Sequence, residues 1–300
     1  MLNSYNRFTS TFKTIMTIYW IYDLPVWLFG LATVAIFVAF SVGGLLLSND
    51  YIKRKFNTSE SMNEAVSGYF GGITSLYGLL LGLVIVASWQ YYDNASRLVS
   101  REEAAIGALY VDVGSYAEPQ RTQMRETIKS YVNYIINNEW PAQAHGELLY
   151  GGRKILLDLQ QSLLDVDLGD SRKQLIMAEA FQAYNKLIEA HRMRLDAVDD
   201  GLPVVLWIIV ISGAALSVLI SYFYHFTHFR SHLLMTTALA VLAGLMVFLA
   251  ASVDNPFRGA VSVSPDAYHR LLETWASDSV SKAPSADEAQ RSAGASIADH

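Results

Sequence analysis

Three histidines, His225, His228 and His232, spell H-x2-H-x3-H. On one continuous helix, imidazoles at i, i+3 and i+7 would converge on a metal ion or share a proton near neutral pH. The chain has to turn near Arg230, however, where two apolar runs meet. Tyr222, Tyr224 and Phe226 beside them give the aromatic-rich composition of a membrane interface. The histidines are therefore read as interfacial side chains, and no metal is expected. A second candidate is Glu102, which shares a helical face with Leu98, Val99, Ile106 and Leu109, where an apolar side chain belongs. It either faces an ion or is neutralised inside the fold by Arg192 or Arg194. The pair is the preferred reading, because buried charges are usually paired.

Motifs for nucleophilic, hydrolytic and nucleotide chemistry are missing: there is no G-x-S-x-G, H-E-x-x-H, Walker loop or G-x-G-x-x-G. Cysteine is absent too, which excludes disulfides and thiolate chemistry. An enzyme is not expected, and neither is a catalytic residue or a cofactor. What the residues offer instead is close packing. Gly68/Gly72, Gly71/Ser75 and Gly78/Gly82 are small residues at four-residue spacing, which lets helix backbones approach closely in lipid. They pack either against other helices of the same chain or against the same helix in neighbouring subunits around an axis. In the second arrangement Ser75, Leu79 and Leu83 would ring a narrow passage and close it by dewetting.

The elements that carry these residues are set by where charge is missing. Residues 25–48, 66–92, 202–229 and 232–253 contain no Asp, Glu, Lys or Arg. Each stretch exceeds the roughly 18 apolar residues that span a bilayer core of about 30 Å. Four transmembrane helices are expected. Together they hold 101 of the 300 residues, so all 50 charged residues fall in the other 199, an ordinary soluble density. Overall the chain is 52% hydrophobic, with a mean hydropathy of +0.24. No acidic residue lies within the four stretches, which disfavours a proton relay or ion-coupled transporter. The net charge of −6 is mild and gives no reason to expect a nucleic-acid partner.

Between the second and third stretches lies a segment of 109 residues, 93–201, which reads as helices. Span two is expected to run on as one helix towards Gly114, since no proline intervenes after Leu83. Further helices are expected from about Pro119 to Trp140, stopped by Pro141, then over 153–166 after Gly151-Gly152, then from Ser171 onward. The fold class is an all-α membrane protein: four transmembrane helices with a cytoplasmic helical bundle inserted between spans two and three. The chain divides into 1–92 (N-terminal segment and spans one and two), 93–201 (helical domain) and 202–253 (spans three and four). A turn and short amphipathic helix follow at 254–276, and 277–300 form a disordered tail, being poor in apolar residues. Basic residues near the spans number eight on the side of 93–201 and the termini (Arg7, Lys13, Arg97, Arg101, Arg192, Arg194, Arg258, Arg270). Four lie on the other side (Lys53, Arg54, Lys55, Arg230). That asymmetry makes the termini and the helical domain cytoplasmic.

Leu81-Gly82-Leu83, Ala87-Ser88-Trp89 and Tyr92-Asp93-Asn94-Ala95 resemble the pore-helix exit of the bestrophin channels. More broadly, residues 25–275 resemble the bestrophin-like membrane proteins of bacteria. The shared features are Leu-x-Leu-Gly-Leu in span two, Arg-Glu-x-Ala-Ala at 101–105, Glu139-Trp140-Pro141, Gly201-Leu202-Pro203, and Asp254-x-Pro256-Phe257-x-Gly259 followed by Val263-Ser264-Pro265. The resemblance places the bestrophin neck on Ser75, Leu79 and Leu83. Ser75 departs from the apolar pattern, aliphatic side chains stand where bestrophins have aromatic ones, and the acidic run of the bestrophin calcium clasp has no counterpart. It implies a homo-oligomeric ion channel of the bacterial inner membrane, in contact with the lipid bilayer, with span two lining the pore and a permeant ion not specified by the sequence. Two alternatives share the topology: a stator or proton-channel subunit whose partner supplies the intramembrane carboxylate, and a non-conducting scaffold or sensor.

Overall fold

The computed structural model describes residues 24–56, 61–166, 171–259 and 261–281. Among them every regular element is helical. Four helical stretches, Val26–Ile52, Met62–Ser115, Ser171–Ser221 and Phe229–Val253, are long and apolar enough to cross a membrane. Each overlaps one of the four uncharged stretches of the sequence, the third of which runs on past Ser221 into the turn before Phe229. Arg7 and Lys13 lie outside the described residues, as does the tail from 282 onward.

The elements in chain order are α1 (Val26–Phe56), α2 (Met62–Asp112), α3 (Gln120–Tyr134), α4 (Trp140–Ala144), α5 (Gly151–Leu164), α6 (Ser171–Asp196), α7 (Val204–Ser221), α8 (Phe229–Val253) and α9 (Asp266–Ser281). As expected, α2 runs on past the apolar stretch, for 51 residues in all. At 1.5 Å per residue that is about 77 Å, more than twice the thickness of a bilayer core. The helix passes through Gly107 without breaking, and a Cβ there would touch Leu271 at 3.6 Å.

Pro141 does not end its helix. A π-helical turn, Ile135–Glu139, joins α3 to α4, and the Trp140 N–H reaches back to the Ile135 carbonyl. A proline inside an α-helix collides with the carbonyl four residues earlier. The wider π turn relieves that collision, so the helical path continues. Likewise α9 extends to Ser281, beyond the boundary expected at residue 276.

The chain forms two compact units. One comprises Met1–Arg97, Gln143–Glu147 and Leu195–Val263, with α1, the first part of α2, α7 and α8. Here α1 and α8 approach closely because glycines leave room. A Cβ at Gly244 would lie 3.0 Å from the Val34 Cα, and one at Gly30 would lie 3.2 Å from the Phe248 ring. Tyr222 donates to the Ser41 carbonyl at 2.7 Å, fastening α7 to α1. Leu81 and Val84 of α2 pack with Leu202, Val210 and Val247.

The second unit comprises Leu98–Ala142, Leu148–Arg194 and Ser264–His300. Its core is apolar, with Ile106, Leu109, Ile128, Leu156 and Leu187 almost fully buried. Tyr110 stacks on Trp275 at 3.9 Å, and the Arg125 guanidinium lies over the Tyr110 ring, so α9 is held by aromatic contact.

Candidate functional site

Within the first unit α2 has two unlike sides. Residues advance by about 100° around an α-helix, so side chains 3, 4, 7 and 11 positions apart share a face. One side packs inward. Asn63 grips the backbone of His225 twice, its Nδ2 donating to the carbonyl at 2.9 Å and its Oδ1 accepting from the N–H at 2.8 Å. One turn on, the Tyr224 hydroxyl reaches Ser67 at 3.1 Å, and the Tyr224 ring meets Phe70 edge-on. Further along, Tyr77 fills the space beside Gly213 of α7, and Leu81 and Val84 enter the core.

The opposite side is open. Gly68, Gly72, Ser75, Leu79 and Leu83 fall within an arc of about 100°, facing away from α7 and α8. Leu79 and Leu83 are each 65% exposed, too much for a core role within one chain. A Cβ added at Gly68, Gly71, Gly72, Gly78 or Gly82 would meet nothing within 4 Å among the described residues. The contrast with Gly30, Gly44, Gly213 and Gly244, all pressed against neighbours, is sharp. Those five glycines of α2 have no packing partner among the described residues.

Glu102 belongs to the second unit, and its surroundings are those of a paired group. Its carboxylate is fully buried and surrounded by donors. Arg194 Nε donates to Oε2 in a close ion pair, and Tyr268 donates to the same oxygen at 2.7 Å. Tyr131 donates to Oε1 at 2.6 Å. His191 Nδ1 lies 3.1 Å from Oε1 and 2.9 Å from the Tyr131 hydroxyl. Of the two arginines anticipated from the sequence, Arg194 is the partner. It also donates to a second buried carboxylate, Glu139 Oε2, at 2.6 Å, and its guanidinium lies over the Trp140 ring. The π turn delivers Glu139 to this place. Glu139 and Tyr134 press on Gly152 and Gly151 at the start of α5, which leaves no room for a side chain at either glycine.

Burial alone would raise the Glu102 carboxyl, but the charge of Arg194 and the hydrogen bonds from His191 and Arg194 hold it well below the usual carboxylate range. Burial and the neighbouring carboxylate push the Tyr131 and Tyr268 hydroxyls well up, so both stay protonated donors. The arrangement is a buried ionic knot that ties α2, α3, α6 and α9 together. Glu139, Tyr131, His191 and Tyr268 were not legible as its members. The signals were indirect: a charge on an apolar face, and a Glu-Trp-Pro motif where a helix was expected to stop.

The other motifs also have structural uses. Asp254 accepts from the Leu202 N–H at 2.6 Å and from the Trp207 indole at 3.2 Å, joining the end of α8 to the start of α7. A Cβ at Gly201 would lie 3.3 Å from the Asp254 carbonyl oxygen. The turn closes with the Val263 N–H on the Pro256 carbonyl at 2.8 Å, and Gly259 adopts a φ of 78°. The three histidines do not converge. His232 is buried against Phe226 and donates to the Ser221 carbonyl at 2.9 Å, whereas His225 is engaged through its backbone. No cluster able to hold a metal ion occurs among the described residues.

Comparison with known proteins agrees with this architecture. The bestrophin-like domain family matches residues 35–268. Crystal structures of two single-residue variants of a bacterial bestrophin homologue from Klebsiella pneumoniae each align with a TM-score of 0.58, at 13% and 14% identity. The alignments cover 82% of this chain and 96% and 98% of those chains. A third structure, described as a membrane protein, aligns with a TM-score of 0.56 at 13% identity, over 82% of this chain and 96% of that one. No curated protein matches the sequence. The structural likeness carries the fold. The family match takes in α2 with its open face, the ionic knot and the Asp254 turn, and the chain belongs to the bestrophin-like family.

Proposed function

We propose that the protein is the subunit of a homo-oligomeric ion channel in the bacterial inner membrane, with α2 lining the conduction path. The observation that carries this reading is the open face of α2, where glycines at close-packing spacing have no neighbour among the described residues and the leucines beside them are exposed. Copies of α2 brought together around an axis would cover the glycines and turn Ser75, Leu79 and Leu83 towards a common passage. Membership of the bestrophin-like family supports the same reading. Reconstitution of the purified protein into liposomes tests it: ion flux from a symmetric oligomer supports the channel. A stable monomer without flux would instead point to a scaffold, and a copurifying single-span partner to a stator-type subunit.

The glycine contacts have their own test. Since the space beside Gly78 and Gly82 is empty among the described residues, leucine at either position should leave the subunit fold intact. Gly78→Leu and Gly82→Leu should nevertheless abolish assembly, because a bulky side chain forces neighbouring backbones apart. Size-exclusion elution in detergent reads the result, and parental elution of both variants would place these glycines against lipid.

In this reading the second unit and both termini are cytoplasmic, on the eight-to-four distribution of basic residues. The chain is free of cysteine, so a single introduced thiol reports unambiguously. Ser162→Cys on α5 should resist a membrane-impermeant maleimide in intact cells and react once the cells are opened. Equal labelling before and after lysis would invert the topology.

A further inference from the structure

We propose that Glu64 is a charge-selecting residue of the conduction path, and that its carboxylates, one from each subunit, gather cations at the end of the path formed by the start of α2. The inference rests on the reading of α2 as the path-lining helix and adds the chemistry of the ion. Glu64 lies in the first turn of α2, four residues before Gly68, and is exposed. With steps of four, four, three and four residues, Glu64, Gly68, Gly72, Ser75 and Leu79 follow one face. Among the described residues this open face, from Glu64 to Leu83, carries one charge, and Glu64 makes no ion pair.

Its orientation is held by its neighbour. Asn63 is locked by two hydrogen bonds to the His225 backbone, so the first turn cannot rotate about its axis. Glu64 lies about 100° further round and is therefore held on the open side. An ionisable group at the border of an apolar span, on the face that carries the small residues, fits a water-filled passage better than lipid. The basic residues near this end, Lys53, Arg54, Lys55 and Arg230, belong to α1 and α8 and not to α2, and Lys55 is engaged with the Tyr51 hydroxyl. A ring of carboxylates between low-dielectric walls concentrates cations and repels anions.

The test is the reversal potential of the purified full-length protein in planar bilayers under a KCl gradient. The parent should prefer potassium over chloride. Glu64→Gln should lower the cation-to-anion permeability ratio by at least about threefold, and Glu64→Lys should turn the preference towards chloride. Glu64→Asp, which keeps the charge, should retain the parental ratio. Raising the salt from about 0.1 M to about 1 M shortens screening from roughly 10 Å to 3 Å and should shrink the preference of the parent far more than that of Glu64→Gln. A parent that prefers chloride, or an unchanged ratio in a conducting Glu64→Gln channel, would overturn the role of Glu64. The role of α2 is judged separately: if Leu83→Ala still raises flux, the path stands and the Glu64 assignment alone has failed.

Discussion

Arg194→Leu should prevent the second unit from folding to a stable state. Arg194 is fully buried between Glu102 and Glu139, and leucine leaves two carboxylates facing one another without a counter-charge. Breaking a buried ion pair from one side costs about 3–5 kcal/mol, a large part of the 5–15 kcal/mol by which a domain is stable. Far-UV circular dichroism on heating, in detergent, should show a broad early transition or none. Arg194→Lys should recover little, because an ammonium cannot match the fork with which a guanidinium spans two carboxylates. Neutralising the knot as a whole, with Glu102→Gln and Glu139→Gln added to Arg194→Met, should restore much of the loss, since no uncompensated charge remains. A parental melting point in Arg194→Leu would mean that the pair contributes nothing.

The same knot sets an acid response with a definite sign. The Glu102 carboxyl is held below its unfolded value, so its stabilising contribution is complete above the ordinary carboxylate range. That contribution is lost progressively once the pH falls through the range, where the unfolded chain takes up the proton that the folded one still refuses. On the account of Glu102 the unfolding temperature should therefore begin to drop as the pH falls through about 5 to 4, where an unfolded glutamate takes up its proton, and keep dropping below that.

The second large effect concerns the leucines of the open face. Leu83→Ala, and more so Leu83→Ala combined with Leu79→Ser, should raise ion flux through reconstituted channels. A ring of leucines repels water from a narrow passage and imposes a desolvation barrier without any charge. Lowering that barrier by about 1.4 kcal/mol is worth about tenfold in rate. Ser75→Ala should matter less in this respect, because a hydroxyl already hydrates its level. Core leucines would behave differently, since shortening them opens a cavity and costs about 2–5 kcal/mol of stability. At 65% exposure Leu79 and Leu83 have no such cavity to leave within one subunit. Unchanged flux from a stable, correctly assembled double variant would rule out a gate at these positions and weaken the channel reading itself.

Much of the fold is legible in the chain because it depends on one-dimensional quantities. The length of an uncharged run measured against bilayer thickness marks four spans, and each overlaps a helix long and apolar enough to cross a membrane. Unbroken helical propensity carries α2 past the membrane stretch to Asp112. A glutamate on an apolar face announces a buried partner, and two arginines on the returning helix were the candidates. The sequence failed at Pro141, where a stop was expected and a π turn allows the helix to pass.

What the sequence by itself determined, then, was the set of apolar helices and the requirement that Glu102 be neutralised. Which groups meet that requirement was decided by tertiary structure. Arg192 and Arg194 stand about 200° apart on α6, so only the docked rotation of that helix selects Arg194. Tyr268 is 166 positions away from Glu102 along the chain, and Glu139 reaches the knot through a π turn that shifts the phase of its helix. The glycines of α2 show the same division. Their spacing announces a close contact, but the fold of one chain packs Gly30, Gly44, Gly213 and Gly244 and leaves Gly68, Gly72, Gly78 and Gly82 open. Spacing along a helix specifies that a face is fit for contact; which face turns inward depends on the summed packing of every neighbouring helix, a property that no local pattern carries.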